Sequence, residues 1–133
     1  MSRAYIALTA LFSVAILPGA VLDIAQPDFV VDAMATIDMP LYVITLIGVW
    51  KLLGIVALAL PRFRRINEWA YAGFFFDLTG AAFAHAAAGD VPSSVITPLV
   101  FLPLLGASYF LRDKRAAAAR LPVRGGVGSA SAA

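Results

Sequence analysis

The chain has 133 residues, of which 62% are hydrophobic and 14% charged, with ten basic against eight acidic side chains. Soluble domains run nearer half apolar and a quarter charged, so this balance places the chain in the membrane class. Cysteine is absent, which excludes disulfides, thiol redox chemistry and thiolate metal sites. The pI near 9.3 follows from where the bases sit and needs no nucleic-acid partner.

A membrane helix needs roughly 20 mostly apolar residues. Four segments approach this, over residues 4–22, 41–60, 67–88 and 95–111. They define a four-span domain over residues 1–111, with a basic and then Ala/Gly/Ser-rich tail over 112–133. In the first span, Arg3, the apolar run and Pro18-Gly19-Ala20 also fit a secretory signal peptide, but the charge count favours a retained helix. Pro18-Gly19 is expected to loosen its end.

The loop that follows carries Asp23, Asp28, Asp32 and Asp38 and no base. Asp28 and Asp32 stand four apart, with Val30, Val31, Met34 and Ile37 on roughly the opposite face. That spacing predicts a short helix lying on the outer membrane surface, its acids forming a solvated face rather than a divalent-cation site.

On the second span Gly48, Lys51 and Ile55 share a face, with Gly54 at its edge. On the third, Gly73, Asp77, Gly80, Ala81, Ala84 and Ala88 fall along one stripe at spacings of three and four. Such small residues let helices approach closely, so Gly48, Gly54, Gly73 and Gly80 are read as packing positions. Phe74, Phe75 and Phe76 are expected to point elsewhere, toward lipid or neighbouring helices. On the fourth span Pro98 suits the first turn, and Pro103 is expected to kink the helix and free the Leu99 carbonyl. The tail is read as a short helical extension followed by disorder.

Orientation follows from Lys and Arg. Arg3, then Arg62, Arg64 and Arg65, then Arg112, Lys114, Arg115, Arg120 and Arg124 put nine bases on one side, and the opposite loops hold none. Both termini are therefore expected in the cytoplasm, with the arginines facing anionic headgroups. Tyr5, Trp69, Tyr71 and Tyr109 are expected near the inner interface and Tyr42 near the outer one. Trp50 stands apart at mid-depth.

The tenth base, Lys51, lies inside a span. It sits ten residues after Leu41, a depth of roughly 15 Å. Asp77 sits ten residues after Asn67, entering from the other side to roughly the same depth. Each unpaired charge there costs about 2.5–3.5 kcal/mol on the insertion scale. Antiparallel neighbours joined by a short loop should therefore pair the two, facing inward. Such a pair serves either to fix helix register or to form a polar core that binds a ligand or moves a proton. His85, the only histidine, is placed near the outer end of the third span at about the depth of Asp23. It is read as a hydrogen-bonded structural histidine, with proton exchange or a ligand contact as the alternative. One histidine among scattered aspartates makes no metal site. No phosphate loop, nucleophile elbow or paired acid/base motif is present.

GVWKLLG at Gly48–Gly54, Pro61-Arg62-Phe63, EWAYAGF at Glu68–Phe74 and DLTGA at Asp77–Ala81, continued by His85 and Gly89-Asp90, resemble the DoxX-like family of small membrane proteins. The resemblance implies an all-α, four-transmembrane-helix bundle in the cell membrane, of bacterial inner-membrane type. Some relatives are associated with sulfur- or quinone-linked redox systems, and some with membrane complexes managing oxidative stress. By that analogy a quinone is the cofactor-like ligand to expect, and a membrane oxidoreductase or a second copy the partner. Asp23 stands where many relatives carry a different polar or basic residue.

Three readings result. The first is a non-catalytic accessory or subunit of a membrane redox system, binding a quinone-like or other apolar ligand near Lys51 and Asp77, with Lys51, Asp77, His85 and Asp23 as the candidate ligand or ion-pair core. The second is a small transporter or proton-conducting element using Lys51, Asp77 and His85. The third is a purely structural membrane protein. An independent enzyme is the least favoured.

Overall fold

A computed structural model describes residues 3–118. The order is α1 (Arg3–Ala25), α2 (Asp28–Thr36), α3 (Leu41–Ala59), α4 (Arg64–Ala87) and α5 (Pro92–Ala118). Around the bundle α1 packs on α3, α3 on α4, α4 on α5 and α5 back on α1, while α2 rests on α3. Short connections between sequential long helices make neighbours antiparallel. The rest of the tail, including Arg120 and Arg124 and the expected disorder, lies outside the described residues.

Several helices run past the spans read from hydropathy. α1 continues to Ala25, which brings Asp23 inside its last turns. α4 starts at Arg64. α5 starts with Pro92 as its first residue, where the fixed φ and missing N–H of proline are tolerated. That puts Pro98 beyond the first turn. Pro18, Pro98 and Pro103 all lie within helix, because each removes one backbone bond without dictating a stop.

The acidic loop does contain a short helix. Val30 and Met34 of α2 are buried against Ile44 of α3, with Leu22, Ile37 and Ile47 around them. Asp28, Asp32 and Asp38 are exposed. The apolar face of α2 therefore meets the bundle. Gln26, at φ 50, turns the chain out of α1, and its side-chain amide donates to the Leu41 carbonyl at 2.8 Å and to Thr45 Oγ1 at 2.7 Å. Those two bonds tie the end of α1 to the start of α3.

The core is aromatic at its centre. Phe12, Ile16, Leu58, Tyr71, Phe74, Leu78 and Leu105 pack together, with Phe12 and Phe74 edge to face at 5.0 Å. The buried face of α4 is Asn67, Tyr71, Phe74, Leu78 and Ala82, a helical stripe of spacings three and four. The small-residue stripe is not that face. A Cβ built at Gly73 or Gly80 meets nothing within 4 Å, so neither glycine marks a close helix contact. Large side chains fill the space instead, and Phe74 belongs to the core, unlike Phe75 and Phe76, which are exposed. Tyr5 and Tyr71 are also buried within the bundle. Gly48 and Gly54 do sit at tight contacts, against α1 and against the Phe74 ring respectively.

A chain of hydroxyls crosses the bundle. Ser108 of α5 lies 2.7 Å from both Thr9 Oγ1 of α1 and Tyr71 Oη of α4. Ser108→Ala is expected to lower thermal stability by about 1–3 kcal/mol for each hydroxyl left unsatisfied, read as the melting shift in detergent. A shift no larger than that of an exposed control such as Ser93→Ala would show the chain to be incidental.

At the end of the bundle bearing Arg64 and Arg112, Asn67 is fully buried. Its amide donates to the Ala57 carbonyl at 3.1 Å and accepts from Arg112 at 3.2 Å. Arg112 also bonds Glu68 at 3.1 Å and lies over the Tyr71 and Tyr109 rings at 5.6 and 5.2 Å. One asparagine and one arginine thus pin α3, α4 and α5 together.

Candidate functional site

Lys51 projects from α3 between two carboxylates. Its ammonium donates to Asp23 Oδ2 of α1 at 2.8 Å and stands 3.5 Å from Asp77 Oδ2 of α4. The three side chains retain 19%, 13% and 19% exposure respectively. Lys51 and Asp77 do come together, as expected from their depths. The shorter contact, however, is to Asp23, which depth counting had placed near His85. Two features bring Asp23 in. The extension of α1 keeps its carboxylate on the helix, and Gly48 lets α1 approach until a Cβ there would lie 2.9 Å from the Ala20 carbonyl oxygen. The long aliphatic stem of lysine covers the remaining distance.

His85 is elsewhere. Its Nδ1 donates to Asp90 Oδ2 at 2.7 Å across the turn after α4, where Gly89 takes φ +68. Asp90 Oδ1 accepts from the Val91 N–H at 2.6 Å. The histidine and Asp90 form a local clasp between α4 and α5, separate from the Lys51 cluster. The Val91 N–H foremost, and then His85, hold the Asp90 carboxyl below the usual carboxylate range. A lowered folded pKa adds stability that is present above the ordinary value and is lost as pH falls through the lowered one. Protection of the α4–α5 turn amides, taken relative to their intrinsic exchange rates, is therefore expected to fall on acidification below the usual carboxylate range. In Asp90→Asn the turn should exchange quickly at neutral pH and lose most of that dependence. Retention of the wild-type profile in that variant would refute the clasp.

A groove of about 410 Å³ runs between α3 and α4. Lys51 and Asp77 stand in it together with Trp50, Gly54, Gly73 and Phe74, and Trp69 and Ile66 lie farther along. Its lining is otherwise apolar. Trp50 and Trp69 are exposed at 63% and 81%, so the groove opens sideways to whatever surrounds the bundle. Asp23 is not among the lining residues. Among the described residues no cluster of three His, Asp or Glu could hold a metal ion. Sequence reading missed the groove because it lies beside the open face of Gly73, which was taken for a packed one.

Helices α1, α3 and the Pro92–Arg112 part of α5 are long and apolar enough to cross a membrane, with mean hydropathies of 2.1, 2.2 and 1.8. Their outward surfaces carry large apolar side chains such as Leu11, Val14, Leu53, Val56, Val100 and Phe110. Outward apolar faces around an inward-facing charged cluster define a helical bundle built for a bilayer. The DoxX-like family model matches residues 7–108, most of the chain, and the protein belongs to that family. Comparison with curated proteins and with solved structures gave no match.

Proposed function

We propose that this protein is a non-catalytic membrane subunit that holds an apolar, bilayer-derived molecule in the α3–α4 groove. The polar end of that molecule meets Lys51 and Asp77. The observation that carries the reading is the groove itself: a lateral, mostly apolar opening that ends on a charged pair. Binding sites typically combine apolar walls with a few convergent polar groups. A quinone-like molecule is one candidate by family analogy, and a membrane oxidoreductase or a second copy of the chain is the partner. In this reading α4 also crosses the membrane, as the third of four spans. Its length and its place between α3 and α5 support that, as do the outward Phe75, Phe76 and Phe83. The one-sided distribution of bases supports both termini in the cytoplasm.

The test uses Gly73, which lines the groove and has open space where a side chain would go. Gly73→Leu should fill the groove without disturbing the bundle. Native mass spectrometry from mild detergent should then find a bound small molecule on the wild type and none on the variant. Identical spectra would remove the reading.

The transport alternative rests on the same buried charges. It predicts ion or proton flux in proteoliposomes that disappears in Asp77→Asn. This alternative also uses His85, whose Nδ1 lies 2.7 Å from Asp90 Oδ2.

A further inference from the structure

The geometry points to an amphipathic cation, a positively charged head on an apolar tail, as the molecule the α3–α4 groove is shaped to take. This rests on the ligand-binding reading above and narrows it. One ammonium stands among two carboxylates, so the cluster carries one formal negative charge more than positive. That surplus lies on the groove side. Lys51 lines the groove beside Asp77 and stands 3.5 Å from it, but gives its shorter, 2.8 Å hydrogen bond to Asp23, which is outside the groove. A surplus charge held in an apolar, low-dielectric setting is costly until something of opposite sign approaches. The rest of the lining suits such a head. Trp50 precedes Lys51 in sequence and Trp69 lies farther along the same groove, and indole faces attract ammonium groups. The apolar stretch past Gly54, Ala57 and Ala70 receives the tail. An anionic head would find in the lining only Lys51, already engaged with two carboxylates, and would meet Asp77 beside it, so it is disfavoured.

The chain's two tryptophans both line the groove, so intrinsic fluorescence reports on it without a label. The experiment titrates the full chain in lipid nanodiscs with decyltrimethylammonium, its neutral carbon-for-nitrogen isostere and decyl sulfate. Saturable tryptophan quenching is expected for the ammonium, weaker by about tenfold or more for the other two. A tenfold change corresponds to about 1.4 kcal/mol. Asp23→Asn should weaken the ammonium by a similar factor although Asp23 does not line the groove, because Lys51 then turns wholly to Asp77. Asp32→Asn, on the exposed α2 face, should change nothing. If the isostere binds as tightly as the ammonium, the groove holds a ligand but the charge preference is refuted. That result is also the one expected if a proton already balances the cluster. If none of the three quenches saturably, and Gly73→Leu titrates like the wild type, the ligand-binding reading falls with it. The comparison of probes on the wild type needs no variant to fold.

Discussion

Lys51→Met is expected to remove most of the folded protein from a detergent-solubilised preparation. The substitution keeps an unbranched side chain one atom shorter and deletes the one charge that faces both Asp23 and Asp77. Two mostly buried carboxylates would then confront each other with no cation between them. Breaking a buried pair by removing one partner costs about 3–5 kcal/mol, and here a single removal unpairs two acids. Adding Asp23→Asn and Asp77→Asn to Lys51→Met should restore most of the lost stability, since a neutral replacement of a buried ionic cluster is tolerated far better than half of one. Lys114→Met, on an exposed lysine, should have no effect. Size-exclusion profiles and melting curves of the four proteins check this. A Lys51→Met variant that melts with the wild type would mean the cluster contributes nothing to folding.

Gly48→Ala is expected to be the most damaging of the small-to-larger changes at glycine. The added methyl would lie 2.8 Å from Ile24 Cγ1 and 2.9 Å from both the Ala20 carbonyl oxygen and Asp23 Cβ. The carbonyl is part of α1's own backbone, so α1 must move as a whole. Overpacking of this kind costs about 1–3 kcal/mol, partly offset by the better helix propensity of alanine, about 1 kcal/mol. Moving α1 also carries Asp23 away from Lys51, which adds to the loss. Gly73→Ala and Gly80→Ala, with open space at both positions, should be neutral or raise stability by up to about 1 kcal/mol through propensity alone. Equal melting shifts in all three would show that α1 and α3 are not in close contact at Gly48.

These two positions show how far the sequence could be read. Lys51 and Asp77 were found because a charge inside an apolar run demands a partner and helical rise converts residue number into depth. The same count set Asp23 level with His85 and did not foresee that Asp23 makes the shorter contact to Lys51. Depth along a helix ignores the reach of a lysine side chain and the tilt that a glycine contact permits, and hydropathy ended the first span three residues before α1 ends. The α4 face was misread for a related reason. Small residues at helical spacing mark a face where close approach is possible, and nothing in the spacing says whether a neighbour uses it. In α4 the bulky Tyr71, Phe74 and Leu78 took the interior and left Gly73 beside a groove. Asn67, Ser108 and Thr9 carried no visible signal, since a lone polar residue at a span edge looks the same whether it is solvated or buried. Arg112 was read as a headgroup contact because basic flanking residues usually are, yet Tyr71 and Tyr109 hold it against the bundle.

The central claim is that one lysine is shared between carboxylates from two different helices. The chain has only two lysines, Lys51 and Lys114, so NMR of isotope-labelled lysine in lipid nanodiscs observes the ammonium of Lys51 directly, with Lys114 as an exposed internal reference. Lys51 is predicted to exchange its protons slowly and to shift in both Asp23→Asn and Asp77→Asn, more strongly in the first, while Lys114 stays fixed. An Lys51 signal that exchanges as fast as Lys114 and ignores both substitutions would contradict the account.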